Sequence, residues 1–144
     1  MIGAITSAML KQHRIVNGFL NDFEKVSEEE VSDMRTKFDL FRWNLEKHVF
    51  IEERNIFTVA DKKNKVEMKQ LQNLLKDHKD IIEIIDGMVK DILDGVKPNV
   101  SVLREILFAH EQREVESFYP LLDNRLSAAD KKNILEKISE INLG

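Results

Sequence analysis

Apolar residues recur along most of this chain at intervals of three and four, the spacing that places side chains on one face of an α-helix. The spacing persists over long stretches, so it favours helices over strands. Together with capping residues and helix breakers, it predicts five helical segments, near residues 3–25, 28–58, 65–94, 100–119 and 128–141.

The inward face of each of the first four segments follows from the same spacing. The expected inward residues are Ile5, Met9, His13, Val16, Leu20 and Phe23; Met34, Phe38, Phe41, Leu45, His48, Glu52 and Ile56; Leu71, Leu74, His78, Ile81, Ile85, Val89 and Ile92; and Leu103, Leu107, His110, Glu114, Ser117 and Leu121. All four histidines of the chain therefore fall on faces predicted to be buried, one in each segment.

Capping residues and helix breakers predict the helix boundaries. Helix starts are indicated by Ser27 with Glu30, Asn64 with Glu67 and Ser127 with Asp130, and a stop by Gly95 with Pro98. The run Glu28-Glu29-Glu30 is expected either in a first helical turn, where the helix dipole favours negative charge, or in a solvated, capped turn between two helices. Pro120 is expected to end or bend the fourth helix because proline lacks an amide proton.

The chain also repeats itself. LKQHR at residues 10–14 matches LKDHK at 75–79, and HVFIEERNIF at 48–57 matches HEQREVESFY at 110–119 in its histidine, in its glutamate four residues later and in its closing aromatic. Each half therefore predicts a helical hairpin. Two hairpins make an all-α, up-down-up-down four-helix bundle over about residues 3–122, with a short extra C-terminal helix at about 128–141 and a single domain over 1–144.

Composition narrows the function. The length of 144 residues suits one domain, and five Gly with two Pro leave little material for the turns of a β protein. A net charge of −4 with interleaved basic residues argues against nucleic acid as a partner. The sequence has no signal-peptide pattern and no apolar run of about 18 residues, so we expect a soluble, cytoplasmic protein with no membrane partner. No protein partner can be named.

Six inward polar side chains are the candidates for chemistry. In an antiparallel bundle they would converge near mid-height: His13, His48, Glu52, His78, His110 and Glu114. Buried carboxylates without partners cost several kcal/mol each, and a metal ion removes that cost. With no cysteine in the chain, the donors are nitrogen and oxygen, which suit iron, manganese or zinc.

Simpler interpretations stand beside this one. A single histidine on an apolar face is more often a hydrogen-bonded core residue than a ligand, although the whole set favours a metal. Glu53, Glu111 and Glu116 are interpreted as solvated surface carboxylates, with the alternative that one of them hydrogen-bonds and orients a ligand. A ferritin-like site is disfavoured because those bundles use Glu-x-x-His. Here the residues three before the histidines are Leu10, Leu45, Leu75 and Leu107.

The same residues resemble hemerythrin-like domains, also called the HHE cation-binding family. The resemblance rests on His13, HVFIE, LKDHK and HEQRE with the following FYP, over about residues 5–122. It implies an up-down four-helix bundle that holds two non-haem iron ions with carboxylate and oxo or hydroxo bridges. It also implies that His13, His48, His78 and His110 are terminal ligands and that Glu52 and Glu114 are bridges.

One departure from that family concerns the third helix. Oxygen-carrying members have a fifth histidine one turn before the third-helix histidine, and here that position is Leu74. Two histidines per metal leave a more open coordination sphere, which argues against reversible O2 carriage and invites an exogenous ligand. A single metal bound by a subset of the six groups is the other arrangement. The glutamate four residues after His110 resembles bacterial and archaeal members more than the oxygen carriers.

Three functions are compatible with the sequence. The first is a metal-binding protein that binds or senses O2, NO or peroxide, and no catalytic residues are assigned in it. The second is an enzyme that processes peroxide or NO, or a repair protein that donates iron. The third is a metal-free interaction module that uses the outer face or the last helix, Ser127 to Leu143.

Overall fold

The computed structural model describes residues 2–144 and is an all-α helical bundle, as predicted. Four helical rods form the bundle. The first three are α1 (Ala4–Lys25), α2 (Val31–Ile51) and α3 (Lys65–Leu93), and the fourth comprises α4 (Ser101–Arg113) and α5 (Tyr119–Arg125). A short α6 (Ala128–Ser139) follows. Within residues 2–144 no strand forms, and α1 packs against α2 and α5 while α3 packs against α2 and α4.

Two of these rods contain a wider, π-helical turn. One, Glu52–Ile56, follows α2 and leads into a 3₁₀ turn at Phe57–Val59, and the other, Glu114–Phe118, joins α4 to α5. The two turns begin at corresponding residues of the repeated HxxxE sequence. The duplication seen in the sequence is therefore also a duplication of an uncommon backbone feature.

Most of the predicted boundaries are confirmed. The Asn64 side chain accepts hydrogen bonds from the amides of Val66 and Glu67 at 3.0 and 3.1 Å, and the Ser127 hydroxyl accepts one from the Asp130 amide at 3.1 Å. At the end of α3, Gly95 has a φ of +74°, which only glycine adopts without strain. The amides of Gly95 and the next residue bond back to α3 carbonyls and close the helix.

The predicted capping box at Ser27 and Glu30 is wrong. Helix α2 begins at Val31, and Glu28 to Glu30 lie in the turn before it. The Glu30 amide, which the Ser27 hydroxyl was expected to cap, instead bonds the Ser27 carbonyl at 3.0 Å. The backbone turn therefore takes the donor that the capping box needed.

Pro120, which is predicted to end or bend the fourth helix, does not end it, because α5 continues to Arg125. Pro120 lies in the first turn of α5, immediately after the π-helical turn. Proline is tolerated there because the wider turn already shifts the regular hydrogen-bond pattern, as the bond from the Tyr119 amide to the Glu114 carbonyl shows.

In the fourth rod, two of the predicted inward positions are wrong because of the π-helical turn. Ser117 is exposed and Leu121 is half-buried, whereas Phe118 and Leu122 are fully buried. The wide turn contains one residue more than an α-helical turn, so the buried face beyond Glu114 is displaced by one position. The other predicted inward residues are buried or pack against the core.

The core consists of two apolar clusters. The first is built around Val16, Leu45, Ile81 and Leu107. The second lies nearer the opposite end of the rods, where α6 packs against it. The histidines and the two inward glutamates lie between these clusters along every rod. The polar layer is therefore enclosed by apolar material on both sides.

The start of α1 is held by a residue from α5. The Asp123 carboxylate accepts hydrogen bonds from the amides of Ile5 and Thr6, at 2.9 and 3.0 Å, and from the Thr6 hydroxyl at 2.7 Å. It reaches them by passing close to Gly3, where an added Cβ would overlap the Asp123 carboxylate. Gly3 therefore leaves the space that this interhelical cap requires.

No helix in the described part of the chain is long and apolar enough to cross a membrane.

Candidate metal centre

The structure brings the six predicted site residues together in the layer between the two clusters. Each rod contributes one histidine, and the second and fourth rods each contribute a glutamate one helical turn later. The exposed fraction is 4% or less for every member: His13, His48, Glu52, His78, His110 and Glu114.

Glu52 faces three histidines with one oxygen. Its Oε1 lies 3.0 Å from the Nε2 of His48, 3.3 Å from the Nε2 of His78 and 3.8 Å from the Nε2 of His110. The imidazole nitrogens therefore surround a single carboxylate oxygen, and the other oxygen points elsewhere.

That other oxygen, Oε2, accepts a hydrogen bond from the Tyr119 hydroxyl, which is fully buried and 3.5 Å from the Nε2 of His13. Tyr119 is the closing aromatic of the second repeat, and its counterpart Phe57 stacks on the His78 ring with centroids 5.2 Å apart. Both closing aromatics thus contact the layer, a role that the sequence analysis did not assign to them.

Glu114 divides its two oxygens between two histidines. Its Oε1 lies 3.1 Å from the Nε2 of His13, and its Oε2 lies 3.2 Å from the Nε2 of His110. Although these contacts are short, neither oxygen accepts a properly oriented hydrogen bond from any residue between 2 and 144. A fully buried carboxylate in this condition costs folding free energy unless a cation satisfies it, so the donor set fits a metal.

The potential ligand atoms form two overlapping groups. One contains Glu52, His78, His110 and Glu114, and the other contains His13, His48 and Glu114. Within each group the ligand atoms lie within 4.8 Å of one another. Because Glu114 belongs to both, the arrangement suits two adjacent cations with this carboxylate between them.

Three of the histidines are oriented by an outer hydrogen bond at Nδ1. The partners are the Gln12 Oε1 for His48 at 2.8 Å, the Glu53 Oε2 for His78 at 3.1 Å and the Asp77 Oδ2 for His110 at 3.0 Å. An Nδ1–H that donates outward leaves the Nε2 lone pair directed at the layer, as metal-binding histidines require.

Of these outer partners, Gln12 and Asp77 were not predicted. Glu53 and Glu116 are exposed as expected and Glu111 is half-buried, and Glu53 is the one of the three that contacts a histidine of the layer, His78. The sequence repeat contains a signal for Gln12 and Asp77. Each directly precedes the first histidine of its half, in LKQHR and LKDHK, and each bonds the histidine of the following helix.

The electrostatics of the layer favour positive charge. Burial raises the pKa of Glu114 to about 8, and the neighbouring charge of Glu52 adds to this rise. Burial would lower the pKa of His110, but the carboxylates of Glu114 and Asp77 outweigh it and raise that pKa to about 12. The layer therefore takes up protons or a metal cation to balance its buried carboxylates.

For His13 the effect of burial dominates, and its pKa is lowered. Burial would raise the pKa of Glu52, but the charge of His48 and several hydrogen bonds outweigh it and hold that pKa well below its usual range. The two glutamates are thus pushed in opposite directions by neighbours that differ between the two halves. The site is duplicated in sequence but electrostatically unequal.

A buried layer of histidine and carboxylate side chains across four helices defines a metal-binding helical bundle. The sequence matches the hemerythrin HHE cation-binding domain over residues 4–130. The chain belongs to this family. Comparisons with curated proteins and with solved structures returned no match.

Proposed function

We propose that this protein holds two non-haem iron ions in the polar layer. The observation that carries the proposal is Glu114, whose two buried oxygens lack hydrogen-bond donors while each faces a different histidine. The proposed ligands are His13, His48, Glu52, His78, His110 and Glu114, with Glu114 shared between the two ions. Zinc or manganese would meet the same nitrogen and oxygen donors.

We further propose that the centre binds or senses O2, NO or peroxide. Leu74, at the position where the resemblance places a fifth histidine, is buried in the apolar cluster and offers no donor, so the proposed ligand set leaves room for an exogenous molecule. Bound iron supplies the redox-active position at which such a molecule is held. The chain orients the histidines through Gln12, Glu53 and Asp77, and its two apolar clusters exclude bulk water.

Metal analysis of protein purified without a histidine tag tests the metal proposal. We expect about two iron ions per chain and, after aerobic purification, the near-ultraviolet absorption of a bridged diferric pair. Less than about half an equivalent of any transition metal, even after anaerobic reconstitution with iron, contradicts it. His48→Ala or Glu52→Ala should abolish this absorption, because each variant removes a proposed ligand.

A ligand-processing role is the second candidate, and the same open coordination favours it. The two roles differ in stoichiometry. A binding or sensing protein takes up about one molecule of NO or peroxide per centre, whereas an enzyme consumes many. Consumption measured over repeated additions to the iron-loaded protein separates them.

A further inference from the structure

The polar layer is bordered by a small internal void. The void measures about 10 Å³, which is room for one molecule of water size. It is lined by three of the histidines and by apolar side chains: His48, His78, His110, Val16, Leu45, Val49, Ile81 and Leu107, with Glu111 at one edge. A molecule in this void would lie against the imidazole rings and the proposed metal ligands.

A larger groove opens to solvent between α2 and α3. Its volume is about 410 Å³, and its lining combines apolar side chains, of which Phe50 and Ile82 are half-exposed, with the charged side chains of Arg42, Glu46, Glu53, Arg54 and Asp86. The groove and the void share three lining residues, which are Leu45, Val49 and Ile81. One layer of aliphatic side chains therefore separates the groove from the void, beside the Glu53 carboxylate that contacts His78.

The opposite side of the void is closed differently. A groove of about 270 Å³ between α1 and α4 shares Leu107 and Glu111 with the void. The Glu111 carboxylate accepts a hydrogen bond from the Asn17 amide at 3.1 Å, which joins α1 to α4. On the α2–α3 side, Leu45, Val49 and Ile81 alone separate the groove from the void, and the Glu53–His78 hydrogen bond at 3.1 Å joins the two rods at the groove.

We propose that the small neutral ligand of the centre enters between α2 and α3, past a gate formed by Leu45, Val49 and Ile81. The proposal rests on the proposed function and assigns the entry path of its ligand. O2 and NO lose almost no hydrogen bonding when they leave water for an aliphatic passage. Peroxide would have to give up hydrogen bonds, at a cost of several kcal/mol.

Val49 is the gate residue best suited to a test. It follows His48 directly, it is 8% exposed, and its side chain contacts both the groove and the void. Val49→Phe should narrow the passage and slow NO association with the ferrous protein by about tenfold or more. Val49→Ala should widen the passage and speed NO association by about threefold. This smaller variant tests the proposal even if Val49→Phe does not fold.

Leu20→Phe is the matched control. Leu20 is buried in the same apolar cluster but lines the groove between α1 and α4, and it does not line the void. The Leu20→Phe substitution adds the same kind of bulk to the core but away from the void. It should therefore change the rate of NO association by less than about twofold. If Leu20→Phe slows association as much as Val49→Phe, or if neither Val49 variant changes it, the proposed entry path is overturned.

A measurement without metal separates this proposal from the proposed function. In apoprotein under O2 pressure, paramagnetic relaxation of methyl signals should be stronger at Leu45, Val49 and Ile81 than at Leu20 or at the equally buried Leu122. Stronger relaxation at Leu20 overturns the path. Failure of iron-loaded protein to bind NO overturns the proposed function, and the methyl relaxation then decides the path by itself.

Discussion

Glu114 and Glu67 are both buried glutamates, yet their surroundings differ. The oxygens of Glu67 accept hydrogen bonds from the Arg125 guanidinium at 2.9 and 3.0 Å and from the Asp61 amide at 2.6 Å. Glu67 is therefore satisfied inside the fold. Glu114 has no such donors, so its carboxylate is available for a cation.

This contrast predicts opposite effects for the same substitution at the two positions. Glu114→Gln should abolish iron binding while leaving the free energy of unfolding of the apoprotein unchanged or about 1 kcal/mol higher, because a buried carboxyl group without oriented hydrogen-bond donors is replaced by an uncharged amide. Glu67→Gln should keep the iron but lower the free energy of unfolding by about 2–3 kcal/mol, because Arg125 loses its partner. Metal analysis and urea denaturation measure both, and E114Q protein that retains full iron would remove Glu114 from the site.

Asp77 acts on the proposed site through another residue. Its carboxylate accepts from the His110 Nδ1 and is also bound by Arg113. Asp77→Asn should weaken metal affinity by about 10–100-fold, because His110 becomes less basic and less firmly oriented. Competition with a chelator of known affinity measures the change.

Asp80→Asn is the control for Asp77→Asn, since Asp80 is on the same helix but pairs with Lys76 at the surface. Such a pair contributes less than about 1 kcal/mol, so its loss should leave metal affinity unchanged. Equal effects of the two substitutions would mean that Asp77 acts only through general electrostatics.

Among the elements, the two π-helical turns have the largest effect on the site. Each begins at an inward glutamate, and the turn in the fourth rod displaces the buried face that follows by one residue. In the fourth rod this brings Phe118, Tyr119 and Leu122 into the core. Without the wide turn, the Tyr119 hydroxyl would not be placed beside Glu52.

The start of α1 gives a prediction for glycine substitutions. Gly3→Ala should lower the free energy of unfolding by about 1–2 kcal/mol, because the new methyl displaces Asp123 from the α1 amides that it caps. Gly87→Ala, in the middle of α3 with nothing within 4 Å of the new methyl, should raise it by about 0.5–1 kcal/mol. Denaturant unfolding of the two variants should give shifts of opposite sign, and a neutral G3A variant would show that the cap contributes little.

At the scale of the whole molecule, the polar layer divides the bundle core into two apolar parts. Candidate ligands from all four rods meet in this layer, so a metal bound there would connect the rods at mid-height. Metal binding and folding are therefore expected to be linked.

Removal of the metal should consequently lower thermal stability. A ligand present at about 1,000 times its dissociation constant stabilises by about 4 kcal/mol, and for a chain of this size that corresponds to roughly 8–16 °C in Tm. Calorimetry with and without a strong chelator, followed by iron addition, measures the difference. A Tm unaffected by either treatment would favour a metal-free interaction module.

Much of this architecture could be predicted because it depends on local periodicity. The spacing of apolar residues placed His48 and Glu52 on one buried helix face, and both are buried there. The helix caps at Asn64 and Ser127 and the stop at Gly95 were also predictable, because each involves residues close together in the chain. The capping box at Ser27 failed because two local arrangements compete for one amide.

The sequence by itself determined the helices, their buried faces and the set of six candidate ligands, since residue type and spacing along one helix are sufficient for these. Only the tertiary structure decided which groups orient the ligands. Gln12 and Asp77 act on histidines of other helices, and Tyr119 reaches Glu52 across the bundle. Such contacts depend on the rotation and height of packed helices, which the π-helical turns alter by a residue and which no local pattern specifies.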